Sequence, residues 1–126
     1  MIRCAMKMSL VAALTLPQAH GTVYRGVAAS YSRGTMEMVS RNRGMHADCM
    51  VAHTFERLGT WVVVRGLRLG RQLTCLVIDV PQPRDRARII RRGIIVELAY
   101  EDNGYICGFQ NEPPRKCPVQ TTEVMP

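Results

Sequence analysis

Ala52-His53-Thr54-Phe55-Glu56-Arg57-Leu58-Gly59-Thr60, with Trp61-Val62-Val63-Val64, Gly70-Arg71 and Leu73-Thr74-Cys75-Leu76-Val77-Ile78-Asp79 behind it, is the stretch that decides the fold. Two β-branched, apolar runs flank a glycine-marked turn at Leu67 to Gly70, which reads as a pair of strands. His53 and Asp79 each stand where an apolar strand opens into a polar loop, so both are candidate site residues. Pro81-Gln82-Pro83 follows directly, and proline cannot donate to a ladder, so the second strand ends at Asp79.

Working outward, Thr22 to Ser32 reads as a first strand bent at Gly26, and Met45 to Ala52 as a short one. Thr35 to Ser40 suits a short helix ending at Arg43-Gly44. Arg84 to Arg92 suits a basic helix closed by Gly93, and Ile94 to Leu98 another strand. Glu101 to Cys107 is a turn leading into a short helix or strand. Asn111 to Pro126 carries four of the seven prolines and little apolar pattern, which predicts a tail. Five or six short strands with one or two short helices predict a mainly β domain, a small six-stranded β-barrel, in which closure removes exposed edges.

The chain has 126 residues, enough for one domain, and 47% of them are apolar, enough for a core. Arginine dominates a formal charge of +7, since Lys7 and Lys116 are the two lysines. Such a charge favours anionic partners but says nothing about fold. Nucleic acid is not the expected partner, because no recognition motif is present and Trp61 with four tyrosines is a thin stacking set.

Residues 1–19 read as a signal peptide, with Arg3 and Lys7 before the apolar run Met8 to Leu16 and small residues at Pro17-Gln18-Ala19. That run falls well short of the about 20 residues a membrane span needs. Export, to a periplasm or the extracellular space, suits the cysteines. Cys4 lies in the leader, and Cys49, Cys75, Cys107 and Cys117 allow three disulfide connectivities. Cys49 precedes His53 by four residues and Cys75 precedes Asp79 by four, and even offsets share a strand face. If His53 and Asp79 converge from neighbouring strands running the same way, Cys49 meets Cys75, and Cys107–Cys117 pins the C-terminal segment. His46-x-x-Cys49-x-x-x-His53 has the residue types of a metal site, but a strand points His46 and Cys49 to opposite faces, so no metal is expected.

Gly26-Val27-Ala28-Ala29-Ser30-Tyr31, Ala52-His53 with Leu58-Gly59-Thr60, Gly70-Arg71, Val77-Ile78-Asp79 and Val96-Glu97-Leu98-Ala99 together resemble the rare lipoprotein A-like double-psi β-barrel family. The distances from His53 to Gly59, Gly70 and Asp79 match the family pattern without gaps. The resemblance implies a double-psi barrel over residues 22–109, ahead of a tail at 110–126. It also implies a lytic transglycosylase acting on peptidoglycan glycan strands, with Asp79 as acid/base, His53 beside it in the groove, and no cofactor. Tyr31, Arg84, Arg86 and Arg88 are the expected substrate-binding residues, the arginines forming a ledge for anionic glycan or peptide carboxylates. The family's Asp-Arg-Gly-Pro is Asp79-Val80-Pro81-Gln82 here, its Leu-Pro is Arg57-Leu58, and its second Asp is Glu97. Glu37 is the nearest candidate for the glutamate of the family's Gly-Glu-x-Tyr segment. The alternative is a non-catalytic wall-binding module, or a virion or secreted structural barrel, that keeps the same groove. Oligomeric state is left open.

Overall fold

The computed structural model describes residues 20–125. The leader expected at residues 1–19, with Cys4, lies outside them. Six strands and three helices follow in the order β1 (His20–Ser30), α1 (Thr35–Arg43), β2 (Met50–His53), β3 (Trp61–Gly66), β4 (Gln72–Asp79), α2 (Pro83–Arg91), β5 (Ile94–Leu98), α3 (Tyr100–Cys107) and β6 (Cys117–Val124). The strands close into one barrel in the order β1-β5-β2-β4-β3-β6. Two pairs, β1–β5 and β2–β4, are parallel, and the rest are antiparallel. Parallel neighbours need crossover connections, and two of them in a closed six-stranded barrel fit the double-psi expectation. The segment around 101–107 resolves into a third helix.

Each parallel pair carries one extra residue. Val51 faces Val77 while Ala52 faces Asp79, so Ile78 is bulged out of β4. Val27 faces Ile94 while Ala28 faces Val96, so Ile95 is bulged out of β5. At the second of these sites β1 has no room for a side chain. A Cβ on Gly26 would lie 2.6 Å from Ile95 Cγ2 and 2.7 Å from the Gly93 carbonyl oxygen.

The barrel interior is filled mainly by β-branched residues, Val51, Val62, Val64, Val77, Val96 and Val119 among them, with Ala28 and Leu98. Both disulfides form with the expected pairing. Cys49–Cys75 joins the entry of β2 to β4, and Cys107–Cys117 joins the end of α3 to the start of β6. The tail expected over residues 110–126 is corrected here. From Cys117 the chain is β6, which pairs with both β1 and β3 and closes the barrel. Cys117, Val119 and Thr121 are buried in alternation, so strand periodicity outweighs the prolines before and within the segment.

Candidate functional site

Two helices stand on the outside of the barrel, and a groove runs beside the second of them. α1 ends on Gly44 in the left-handed region (φ 65°), whose N–H closes the last turn. Met36 of α1 packs on Met50, Leu76 and Ile78, the outward residues of β2 and β4. α2 opens on Pro83, whose fixed φ and missing N–H suit a first helical position. Its Ile89 packs on Ala29 and Ile94. The groove beside α2, about 460 Å³, is lined by Tyr31, Asp79, Glu97, Arg84, Arg88 and Lys116 among others.

The groove floor follows from strand register. Ala29 faces Glu97, Glu97 faces Ala52, and Ala52 faces Asp79, giving one cross-strand row over β1, β5, β2 and β4. Directly opposed residues share a face, so the row sets two carboxyls on one surface with an alanine methyl between them. Simple alternation from buried Val77 would turn Asp79 inward. The bulge at Ile78 shifts its phase and returns it to the outer row, the re-aiming that bulges perform beside functional sites.

Asp79 is held from both sides. Its Oδ2 accepts from the Tyr31 hydroxyl at 2.7 Å, and its Oδ1 accepts from the Arg43 guanidinium at 2.8 Å. Burial, then the hydrogen bond to Asp79, push the Tyr31 phenol well above its usual pKa, so it stays a donor. Glu97 has its pKa raised, first by burial and then by the charge of Asp79, against a smaller pull from Arg88. It makes no hydrogen bond or ion pair among the described residues. Asp85, the third carboxylate of the groove, is paired with Arg88 at 3.3 Å and with Arg84 at 4.0 Å.

His53 is brought to a different place. It is fully buried inside the barrel, where Nδ1 accepts the backbone N–H groups of Phe55 (3.0 Å) and Glu56 (3.2 Å). That leaves the proton on Nε2, which donates to Thr121 Oγ1 at 2.9 Å. Its ring packs against Tyr24. Burial lowers its pKa to about 4, so it is neutral at pH 7. The expectation of His53 beside Asp79 is therefore corrected: His53 faces Val96 across β2 and β5 on the inner surface, while Ala52 takes the outer row. His53 braces the loop after β2.

The basic helix divides. Arg84, Arg88 and Arg92 line the groove together with Lys116, which β6 brings from the far end of the chain. Arg86 instead lies over the Phe55 ring at 5.4 Å, away from Asp79. Glu37 is exposed on α1. Cys49 is spent in its disulfide and His53 in its hydrogen bonds, so the spacing His46, Cys49, His53 builds no metal centre. Arg43 is the groove residue that the local sequence leaves unmarked, and Glu97 stands in a motif there without an expected role of its own. The alternation Val96-Glu97-Leu98, a lone acid between buried residues, marks Glu97 as outward-facing, whereas nothing local marks Arg43.

A larger cavity, about 650 Å³, lies around Arg33, Tyr100, Tyr105 and Phe109. Two of its cations are engaged within it: Arg33 stacks on Tyr100, and Arg71 stacks on Tyr105 while bonding its carbonyl. The Asp79 groove is the better chemical site, because it gathers three carboxyls, Asp79, Asp85 and Glu97, with Arg84, Arg88, Arg92 and Lys116. No family model matches this chain, and no curated protein matches it. No helix among the described residues is long and apolar enough to cross a membrane.

Proposed function

We propose that the protein is exported, binds peptidoglycan glycan strands in the Asp79 groove, and cleaves the bond between N-acetylmuramic acid and N-acetylglucosamine as a lytic transglycosylase does. The observation that carries this reading is the acidic floor beside a basic wall: Asp79 and Glu97 in one row, with Arg84, Arg88, Arg92 and Lys116 along the side. Carboxyls supply proton transfer at a glycosidic oxygen, and arginine forks suit the planar carboxylates of lactyl groups and peptide stems. The reaction protonates the glycosidic oxygen, and the C6 hydroxyl of the same muramyl residue attacks its C1 and gives up a proton. No activated water is needed, unlike ordinary glycoside hydrolysis. Asp79 carries proton transfer, Tyr31 and Arg43 fix its carboxylate, and two disulfides suit an oxidising compartment.

The occupation of both Asp79 oxygens favours a second reading, a wall-binding barrel without turnover. The two separate in one experiment. The purified full chain, disulfides intact, is incubated with sacculi and the supernatant is analysed by mass spectrometry. Anhydromuropeptides from the wild type and none from Asp79→Asn support cleavage. Retention on sacculi without product supports the binding module, and equal release by both proteins removes Asp79 from the chemistry.

A further inference from the structure

We propose that the cavity of about 650 Å³ around Tyr100 and Tyr105 takes the peptide stem of the wall polymer, so that the protein selects peptide-bearing glycan over bare glycan. This stem subsite rests on the glycan reading of the groove and extends it. Two guanidiniums flank the cavity. Arg33 lies 4.2 Å from the Tyr100 ring centre, and Arg71 lies 5.2 Å from that of Tyr105. Stacking uses the face of a guanidinium and leaves its in-plane N–H groups for a planar acceptor. Arg71 gives one of these to the Tyr105 carbonyl. Neither arginine pairs with a carboxylate among the described residues. Glu101, on the same cavity, is exposed and makes no hydrogen bond or ion pair among the described residues. Two cations and one acid without ionic partners suit a ligand that carries carboxylates and an amine. A stem peptide built on glutamate and a diamino acid has that chemistry.

The walls of the cavity are preset. Cys107–Cys117 ties the end of α3 to β6. The loop after α3 folds back on Tyr100, whose hydroxyl donates to the Glu112 carbonyl and accepts the Glu112 N–H at 3.0 Å. Phe109 meets the Tyr100 ring edge-on at 5.3 Å. Gly104 permits this return, since a Cβ there would lie 2.5 Å from the Phe109 carbonyl oxygen. A rim fixed in advance loses little freedom when a ligand settles on it.

The cavity adjoins the groove. Three chain segments pass from one to the other within four residues: Tyr31 to Arg33, Glu97 to Tyr100, and Lys116 back to Glu112. Alternate Cα atoms are at most about 7 Å apart, and an extended stem of four residues reaches roughly 13 Å. A stem that leaves the lactyl group of a muramyl ring beside Tyr31 therefore has the length to enter the cavity at Arg33.

The test uses ligands without a scissile bond: the disaccharide of N-acetylglucosamine and N-acetylmuramic acid with a tetrapeptide stem, and the same disaccharide bare. Affinity is read by calorimetry and the contact surface by amide chemical shifts, on the full chain with disulfides intact. The peptide-bearing ligand should shift Arg33, Glu101 and Tyr105 together with Tyr31 and Glu97, whereas the bare one should shift the groove alone. Arg33→Gln and Arg71→Gln should each weaken the peptide-bearing ligand about fivefold, the upper range for exposed ion pairs, and leave the bare one within about twofold. The stem should accordingly tighten binding to wild type by about 20-fold, the product of two such pairs. Acetylating the free amine of the diamino acid should weaken binding to wild type but not to Glu101→Gln. Equal affinity for the two ligands, or stem-dependent shifts at Arg84 and Arg88 in place of the cavity, overturns the stem subsite and leaves the glycan reading standing. A groove silent to both ligands removes the glycan reading, and the stem subsite with it.

Discussion

Acid should loosen this barrel through one residue, His53. Its imidazole is neutral and fully buried, with Nδ1 taking two backbone N–H groups and Nε2–H given to Thr121. Protonating it places a charge in the core and sets an N–H against two other donors. Its folded-state pKa is lowered to about 4, against about 6.5 in the unfolded chain. Between those values the unfolded state binds the proton and the folded state does not. His53 therefore contributes fully above pH 6.5, and its contribution is lost as pH falls to 4. The 2.5-unit gap amounts to about 3 kcal/mol at 1.36 kcal/mol per unit.

The assay is urea unfolding at half-unit steps from pH 7 to pH 4, on wild type and His53→Asn. Asparagine can keep the acceptor for the two loop amides, as Asx turns do, but cannot titrate. It loses the Thr121 bond and the packing on Tyr24, so it should start about 2 kcal/mol less stable at pH 7. The difference between the two proteins should then shift by about 3 kcal/mol on reaching pH 4, so that the gap closes and reverses, with His53→Asn about 1 kcal/mol the more stable. Glu56, whose pKa is raised by burial and by Glu123, acts in the opposite direction in both proteins and largely cancels in the difference. A gap that stays constant across the whole range refutes the reasoning.

Further outcomes follow from the packing. Replacing Cys49 and Cys75 by alanine should cost about 3.5 kcal/mol on the loop-entropy relation, and replacing Cys107 and Cys117 about 2.7 kcal/mol, both read by urea unfolding. Gly26→Ala should destabilise by about 1–3 kcal/mol, because the new methyl meets the Gly93 carbonyl, which has no rotamer to yield with. Leu98→Ala, at a fully buried barrel position, should cost about 2–5 kcal/mol by the same method. Glu97→Gln should gain stability over wild type as pH rises from the ordinary carboxylate range through the raised Glu97 pKa, since ionising a desolvated carboxyl costs the fold. A thermal midpoint difference that is unchanged from pH 4 to pH 8 contradicts it.

The strands from β1 to β5 are legible in the sequence because their β-branched runs end at glycines and prolines. The disulfides are legible too, though the parity argument behind them is sound for one partner only. Cys49 and His53 share the inner face, while the bulge at Ile78 takes Asp79 off the face of Cys75. One extra residue in a ladder is invisible to a period-2 reading, and it decides which way the site residue points. β6 is hidden for another reason: Pro113, Pro114 and Pro118 mask the alternation of Cys117, Val119 and Thr121. The fate of His53 depends on Thr121, 68 residues away in sequence, so no local pattern distinguishes a core histidine from a groove histidine. Tyr31 and Asp79 meet as a pair of expected site residues, whereas Arg43 joins them only through the docking of α1.

Glycan is expected to enter the groove beside α2, over Ala29, Glu97 and Asp79. Amide chemical-shift mapping with a soluble, undecorated muropeptide oligosaccharide tests it most directly. Shifts should concentrate at Tyr31, Asp79 to Gln82, Arg84 to Arg92 and Glu97. Shifts confined to the cavity of Arg33, Tyr100, Tyr105 and Phe109, or no shifts at saturating ligand, contradict it.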